Sequence, residues 1–275
     1  VNTPAQKASA TVSNCNIALF DILGFKKLIE SSEASATLDV LSEFVNFATL
    51  SLEYGVPPQG RISIRVFQDT LVAYTVSDSA EDLRCLVSYC CIVIAGAFHR
   101  GIFLRGAITS GPVLISDYAI LGRAFVLAYE MEQAQNWAGA WVDEKCITPV
   151  ISESLGSLVV RYAIPLKKGP VQMAWVLNWP LIICQYGLKH LAEGWDILVE
   201  QGESTWDSRQ KIQEVDMFLT HLVHHAFEPE PEKGSTAAQH VRPTWEGDLH
   251  LYLTALPEYQ QKFAKFAKKS TDGTS

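Results

Sequence analysis

The stretch Ile17-Ala18-Leu19-Phe20-Asp21-Ile22-Leu23-Gly24-Phe25 decides how the rest of the sequence is read. Its opening apolar run describes a strand buried on both faces, and Gly24 ends it before a helix beginning near Phe25. Asp21 interrupts that strand. An ionised carboxylate is expensive to bury unless a cation or several hydrogen bonds compensate it. Asp21 is therefore read either as a metal ligand at a strand end or as the cap of the helix that follows.

Working outward, a longer helix is expected over about Ser35 to Tyr54, with Leu38, Leu41, Phe44, Val45 and Ala48 at helical spacing, until Gly55-Val56-Pro57-Pro58 breaks it. Arg61 to Phe67 and Thr70 to Val76 read as the strands of a hairpin meeting at Gln68-Asp69. Ser79-Ala80-Glu81-Asp82 opens a helix to about His99, and Phe103 to Ile108 with Val113 to Ile115 reads as a strand pair around Ser110-Gly111-Pro112. A helix from Arg123 to Trp137 follows, then strands at Trp141-Val142, Leu158 to Ile164 and Val171 to Val176. The order β-α-α-β-β-α-β-α-β predicts an α+β fold, a sheet with helices on one face.

Residues 1–14 are small and polar and read as a flexible arm, and 15–178 as the main domain. Residues 179–275 read as a helical C-terminal extension, rich in Trp, Glu and His and broken by Glu228-Pro229-Glu230-Pro231-Glu232. His221 and His225 share a helical face within it. With no HExxH glutamate and no supporting cysteine, that face is read as partly exposed rather than as a metal site.

With 275 residues, 48% of them hydrophobic and 19% charged, the chain can bury one substantial core. A formal charge of −8 argues against a protein that coats nucleic acid, yet leaves room for a small polyanion gripped by a few basic groups. The six cysteines, at 15, 85, 90, 91, 146 and 184, form no CxxC pair and read as reduced core thiols of a cytoplasmic protein. The opening VNTPAQKASATVSN has no apolar signal region, and the run from Leu86 to Phe98 is shorter than the ~18 residues a membrane span needs, so no membrane partner is expected.

Asp69 sits at the tip of a hairpin that could pair beside the first strand. Alone it reads as a turn residue. Two carboxylates at neighbouring strand ends suit a pair of Mg²⁺ or Mn²⁺ ions bridging a triphosphate.

Four segments in register then resemble the class III adenylate and guanylate cyclases, over about residues 15–178. Phe20-Asp21-Ile22-Leu23-Gly24-Phe25 is similar to the family's F-x-D-I-x-G-F metal motif, and Arg65 to Asp69 to its K-x-x-G-D hairpin, with Gln68 where glycine is usual. Leu104-Arg105-Gly106-Ala107-Ile108-Thr109-Ser110-Gly111-Pro112-Val113 resembles L-R-x-G-I-x-x-G-x-V. Tyr118-Ala119-Ile120-Leu121-Gly122 and Ala128-Tyr129-Glu130-Met131-Glu132 resemble Y-D-x-x-G and A-x-R-x-E.

The resemblance implies a ferredoxin-like βαββαβ core with an antiparallel-rich sheet, working as a head-to-tail homodimer with composite sites. Asp21, Asp69 and the Ile22 carbonyl would bind two divalent ions. Arg105 would reach the triphosphate, unless it is a surface ion-pair residue. Lys167-Lys168-Gly169 resembles the family's late basic segment, in which Lys168 would touch phosphate or be a solvated lysine before a turn. Phe25 would line the substrate site.

Departures from the family bear on the substrate. Its adenine-reading Lys and Asp fall on Arg65 and Ala119, and the Glu and Cys of guanylate cyclases are absent. Arg65 offers only donors, which suit the two carbonyls of uracil. This resembles the pyrimidine-specific cyclases of bacterial anti-phage Pycsar systems, implying conversion of UTP to cyclic UMP read by a downstream effector. CTP, or a purine with shifted base contacts, is the alternative. Tyr54 either narrows the base pocket or merely closes a helix. The family's transition-state Asn and Arg fall on Val126 and Glu130, so Arg123 is expected either to substitute or to decorate the helix surface. Loss of both also admits a silent cyclase-like sensor.

Overall fold

A strand longer than the expected one, β1 (Thr11–Ile22), runs through the middle of a sheet. The computed structural model describes residues 11–31, 34–54, 60–116 and 118–186 and, within 210–222, all except 212, 216 and 220. From Cys15 to Phe20 every side chain of β1 is buried, so the strand must be covered on both faces and paired along both edges. It begins before Cys15, the expected boundary, because Thr11 to Asn14 pair with Pro112 to Ile115.

After β1 come α1 (Phe25–Ser31), α2 (Ala34–Tyr54), the hairpin β2 (Ile62–Phe67) and β3 (Thr70–Thr75), α3 (Ala80–His99) and β4 (Leu104–Ile115). In the sheet these strands stand in the order β2-β3-β1-β4, all antiparallel to their neighbours. That is the ferredoxin-like βαββαβ arrangement expected. The short β5 (Ile120–Leu121) pairs with the end of β4, and α4 (Arg123–Ala134) follows. The sheet then continues through β6 (Gly139–Val142), which lies parallel to β4, to β8 (Gln172–Leu177) and β7 (Val159–Ile164). A short α5 (Pro149–Leu155), capped by Thr148 and led by Pro149, precedes β7, and α6 (Pro180–Tyr186) follows β8.

Two expectations are corrected. The segment around Ser110-Gly111-Pro112 is not a turn: β4 is one continuous strand, paired with β1 from end to end. Pro112 falls between the stretch where β6 pairs (105–108) and that where β5 pairs (114–115). A residue without an N–H is tolerated on such an unpaired edge. Nor do all helices share one face. Ala18, Phe20 and Ile22 pack with Leu71, Ala73, Leu104 and Ile108 in the core that holds α3, whereas Cys15 and Ile17 pack with Val72, Val113 and Ala124 of α4. Because β1 is apolar on both faces, each requires its own helix.

Gly106, in β4 opposite Phe20, has no room for a side chain: a Cβ would stand 2.2 Å from Phe20 Cδ1 and 2.6 Å from the Leu19 carbonyl. The 20-residue α3 is long and apolar enough to cross a membrane, longer than the apolar run read from the sequence, but it is mostly buried against the sheet as the central core helix. Cys15, Cys85, Cys90, Cys91 and Cys146 are buried free thiols, as expected.

Beyond the expected boundary at 178, Trp179 and Phe218 join Trp137 and Tyr162 in an aromatic cluster, with Phe218 4.9 Å from the Tyr162 ring and 5.0 Å from Trp137. His221 is bonded to the Arg161 carbonyl at 2.9 Å and packs on Tyr162. His225 lies outside the described residues.

Candidate active site

The register of the sheet brings Asp21 and Asp69 together. Asp21 lies opposite Thr70, and the Ile22 amide donates to the Asp69 carbonyl at 3.1 Å, pinning the hairpin tip to the end of β1. Gln68, in the turn, adopts φ 56°. A glycine would occupy this left-handed region freely, whereas a residue with a Cβ spends roughly 1–2 kcal/mol there.

Burial pushes the Asp21 carboxyl up to about 6. The negative charges of Glu132 and Asp69 add to the rise, the Arg105 guanidinium opposes it, and the Asp21 and Asp69 side chains are within hydrogen-bonding reach of each other. Asp82, at the start of α3, provides the contrast. Burial would raise it too, but bonds from the Ser77 amide at 3.0 Å, the Ser77 hydroxyl and Arg61 at 2.7 Å hold its carboxyl below the usual range. Asp82 is a compensated buried acid; Asp21 is left short of positive charge.

Arg105 is not turned outward to await a phosphate. It is 5% exposed, and its Nε donates to Glu132, which is 1% exposed, while Nη2 donates to Asp21 at 3.2 Å and Nη1 to the Gln135 carbonyl at 3.5 Å. In the free chain its contacts are all internal. Arg105 ties the end of β1 to the end of α4, and at 5% exposure it is not a surface ion-pair residue. Glu132 and Gln135 were not singled out as site residues. For Glu132, its place as the acid of the A-x-R-x-E run was the available signal.

Of the two lysines after β7, Lys167 rather than Lys168 is drawn toward this cluster. Its Nζ donates to Gln133 at 3.4 Å, and its amide to the Ala134 carbonyl at 2.8 Å. Partial burial and the positive charge of Arg105 lower its ammonium from the ordinary lysine range, while Glu132 and Asp21 pull the other way. Both lysines are exposed; what distinguishes Lys167 is its contact with Gln133.

Other expected residues fall elsewhere. Phe25 is 9% exposed and packs in the core. Arg65 lies opposite Val72, which lies opposite Leu19, so it shares the sheet face of Asp21 one step along and two strands away. Tyr54 ends α2, and its side chain lies outside the described residues. Ala119, held by Ser116 through both its amide and its carbonyl, lies past the far end of β4 from Arg105. Arg123 begins α4, nine residues before Glu132, or about 13 Å at 1.5 Å per residue. Val126 and Glu130 are exposed on the same helix. One chain therefore assembles Asp21, Asp69, Ile22, Arg105 and Lys167, and leaves Ala119 and Arg123 apart from them.

The donors at this end are hard oxygens, which suit Mg²⁺ or Mn²⁺. Among the described residues no group of three or more His, Cys, Asp or Glu is arranged to hold a metal alone. An ion at Asp21 and Asp69 would complete its shell from water and substrate phosphates, as Mg²⁺ habitually does.

No protein-family profile matches the sequence, and no curated protein does. Among solved structures, the chain is similar to the adenylyl cyclase CyaB from P. aeruginosa, with 20% identity over 62% of this chain and 96% of that one and a TM-score of 0.46. It is similar to the guanylyl cyclase domain of the RhoGC fusion protein from the aquatic fungus Blastocladiella emersonii, with 14% identity over 62% and 97% and a TM-score of 0.46. An adenylate/guanylate cyclase/hydrolase from Silicibacter pomeroyi gives 17% identity over 62% and 98% and a TM-score of 0.44. All three neighbours are cyclases. Likeness of this size leaves the chemistry to be argued from the residues.

Removing the cation buried between Glu132 and Asp21 should be severe. Arg105→Ala is expected to cost about 3–5 kcal/mol, because it strands Glu132 and Asp21. Lys168→Ala should stay within about 0.5 kcal/mol in the same urea titration. A second expectation concerns pH. In metal-free buffer the folded chain holds a proton on Asp21 that the unfolded chain releases near its ordinary value of about 3.9, so this group's contribution to stability is full below that value and lost as pH rises through about 6. The Tm of Asp21→Asn minus that of wild type should therefore grow from about pH 4 to about pH 6 and level off above about pH 7. A flat difference would show that Asp21 is not strained by its charge.

Proposed function

We propose that the protein is a metal-dependent nucleotidyl cyclase, in which the ribose 3′-hydroxyl attacks the α-phosphate, releasing pyrophosphate and forming a 3′,5′-cyclic nucleotide. The observation that carries this reading is the meeting of the Asp21 and Asp69 carboxyls at one sheet end, with too little positive charge around them. Two divalent ions, when bound, would supply that charge and neutralise the triphosphate. Asp21, Asp69 and the Ile22 carbonyl would hold them. Lys167 stands ready for the β- and γ-phosphates, and positioning accounts for most of the remaining barrier reduction.

A second copy of the chain completes the site. Ala119 and Arg123 lie at the opposite end of β4 and α4 from Asp21, so only a head-to-tail partner would bring them to the same nucleotide. The exposed apolar side chains of Leu121 (58%), Val126 (51%) and Tyr129 (51%), on β5 and α4, support such a pairing. The base is uracil in this reading, because Arg65 on the Asp21 face offers donors alone and Ala119 offers no side-chain acceptor. The product would be cyclic UMP, a second messenger for an effector in anti-phage signalling of the Pycsar kind; cyclic CMP or a purine product is the alternative.

A silent nucleotide-binding sensor has one observation in its favour. Val126 and Glu130 cannot donate hydrogen bonds to a pentacoordinate phosphate, a loss worth about 2.7–4 kcal/mol of barrier where such donors have been removed. Purified protein with Mn²⁺ and each of the four ribonucleoside triphosphates decides between them. Cyclic UMP that disappears in Asp69→Ala is the expected result; no cyclic product from any nucleotide in a folded dimer would favour the sensor.

A further inference from the structure

We infer that Gln133 is a positioning residue that fixes Lys167 at the phosphate end of the site by bridging it to Glu132. The inference rests on the cyclase reading for the phosphates that Lys167 would meet, and on the hydrogen bonds alone for the rest. Gln133 Nε2 donates to Glu132 Oε2 at 2.8 Å, and Gln133 Oε1 accepts from Lys167 Nζ at 3.4 Å. An ammonium only donates and a carboxylate only accepts. The side-chain amide does both, so it can join them with its oxygen toward the lysine and its nitrogen toward the acid.

The backbone holds both ends of this bridge in place. The Lys167 amide donates to the Ala134 carbonyl at 2.8 Å, the Asn136 amide to Pro165 at 2.9 Å, and Gln135 forms an antiparallel bridge with Leu166. The turn after β7 is thereby fastened to the end of α4. Glu132 spends its other oxygen on Arg105, which reaches Asp21. A continuous line of polar contacts thus runs from Asp21 through Arg105, Glu132 and Gln133 to the Lys167 ammonium. A lysine is otherwise a flexible tether that loses rotamer freedom each time it meets a ligand. Gln133 removes part of that loss in advance, and it couples the lysine to the same acid that orients the metal-site arginine.

Calorimetric titration of the full chain with inorganic pyrophosphate and Mn²⁺ tests this directly. Gln133→Met keeps the helix-compatible bulk of the side chain without its hydrogen bonds, and Gln133→Ala serves as the second variant. Each should weaken pyrophosphate binding about three- to tenfold, the range of one net hydrogen bond, and Lys167→Ala should weaken it at least as much. The decisive result is non-additivity: Gln133→Met with Lys167→Ala should bind no worse than Lys167→Ala alone. In turnover, the loss should fall on KM for the nucleotide with kcat kept. Wild-type affinity in both glutamine variants, an additive double variant, or no pyrophosphate binding to wild type would overturn the inference. Absence of any cyclic product beside the expected binding pattern would instead defeat the cyclase reading and leave the role of Gln133 standing.

Discussion

The arrangement depends on one buried cation. Arg105 is shared between Glu132, Asp21 and the Gln135 carbonyl, on a strand opposite Asp21 and below a helix that carries Glu132. Taking a guanidinium out of water is tolerable only when its donors are all met with good geometry, and the planar fork of arginine meets several acceptors at once where a lysine could not. The site therefore cannot be altered locally. Moving α4 shifts Glu132, which shifts Arg105, which shifts the Asp21 carboxylate.

That constraint also explains why the acid cluster is poised rather than satisfied. One guanidinium serves two carboxylates, Asp21 and Glu132, while the charge of Asp69 adds to the load on Asp21. Burial, and then the charges of Glu132 and Asp69, push the Asp21 carboxyl up at the sheet end where the hairpin tip delivers Asp69. Asp82 demonstrates that the same chain can fully compensate a buried aspartate when the role is structural. An acid left short of charge beside a second acid is what a site for divalent ions requires before the ions arrive.

Much of this was legible in the sequence, and the parts that were not share a physical origin. Asp21 stood out because a charge in an apolar strand needs a reason, and Asp69 because the hairpin is marked by local β-branched runs. The long helices and the order of the first strands followed from period and breakers. Pro112 and Gly111 read as a turn because local chemistry favours one, but pairing with all of β1 overrides it. The placement of α4 on its own face was written in the alternate residues Cys15 and Ile17, whose burial can be seen only once the neighbouring strands are known.

Arg105 was recognised, but its internal partners were not. Its acids come from different elements, and no spacing rule joins a strand residue to a helix residue 27 positions on. The choice between Lys167 and Lys168 turned on the same kind of fact, the hydrogen bonding of a turn to the end of α4.

The central claim is that Asp21 and Asp69 are the ligands through which divalent ions seat a triphosphate. Anomalous diffraction from crystals grown with Mn²⁺ and a non-cyclisable UTP analogue addresses it most directly. The account predicts manganese peaks bound by both carboxylates, with the triphosphate bridging them and Arg105 still turned inward to Glu132. Manganese and triphosphate bound elsewhere, with Asp21 and Asp69 still facing only each other and Arg105, would contradict it.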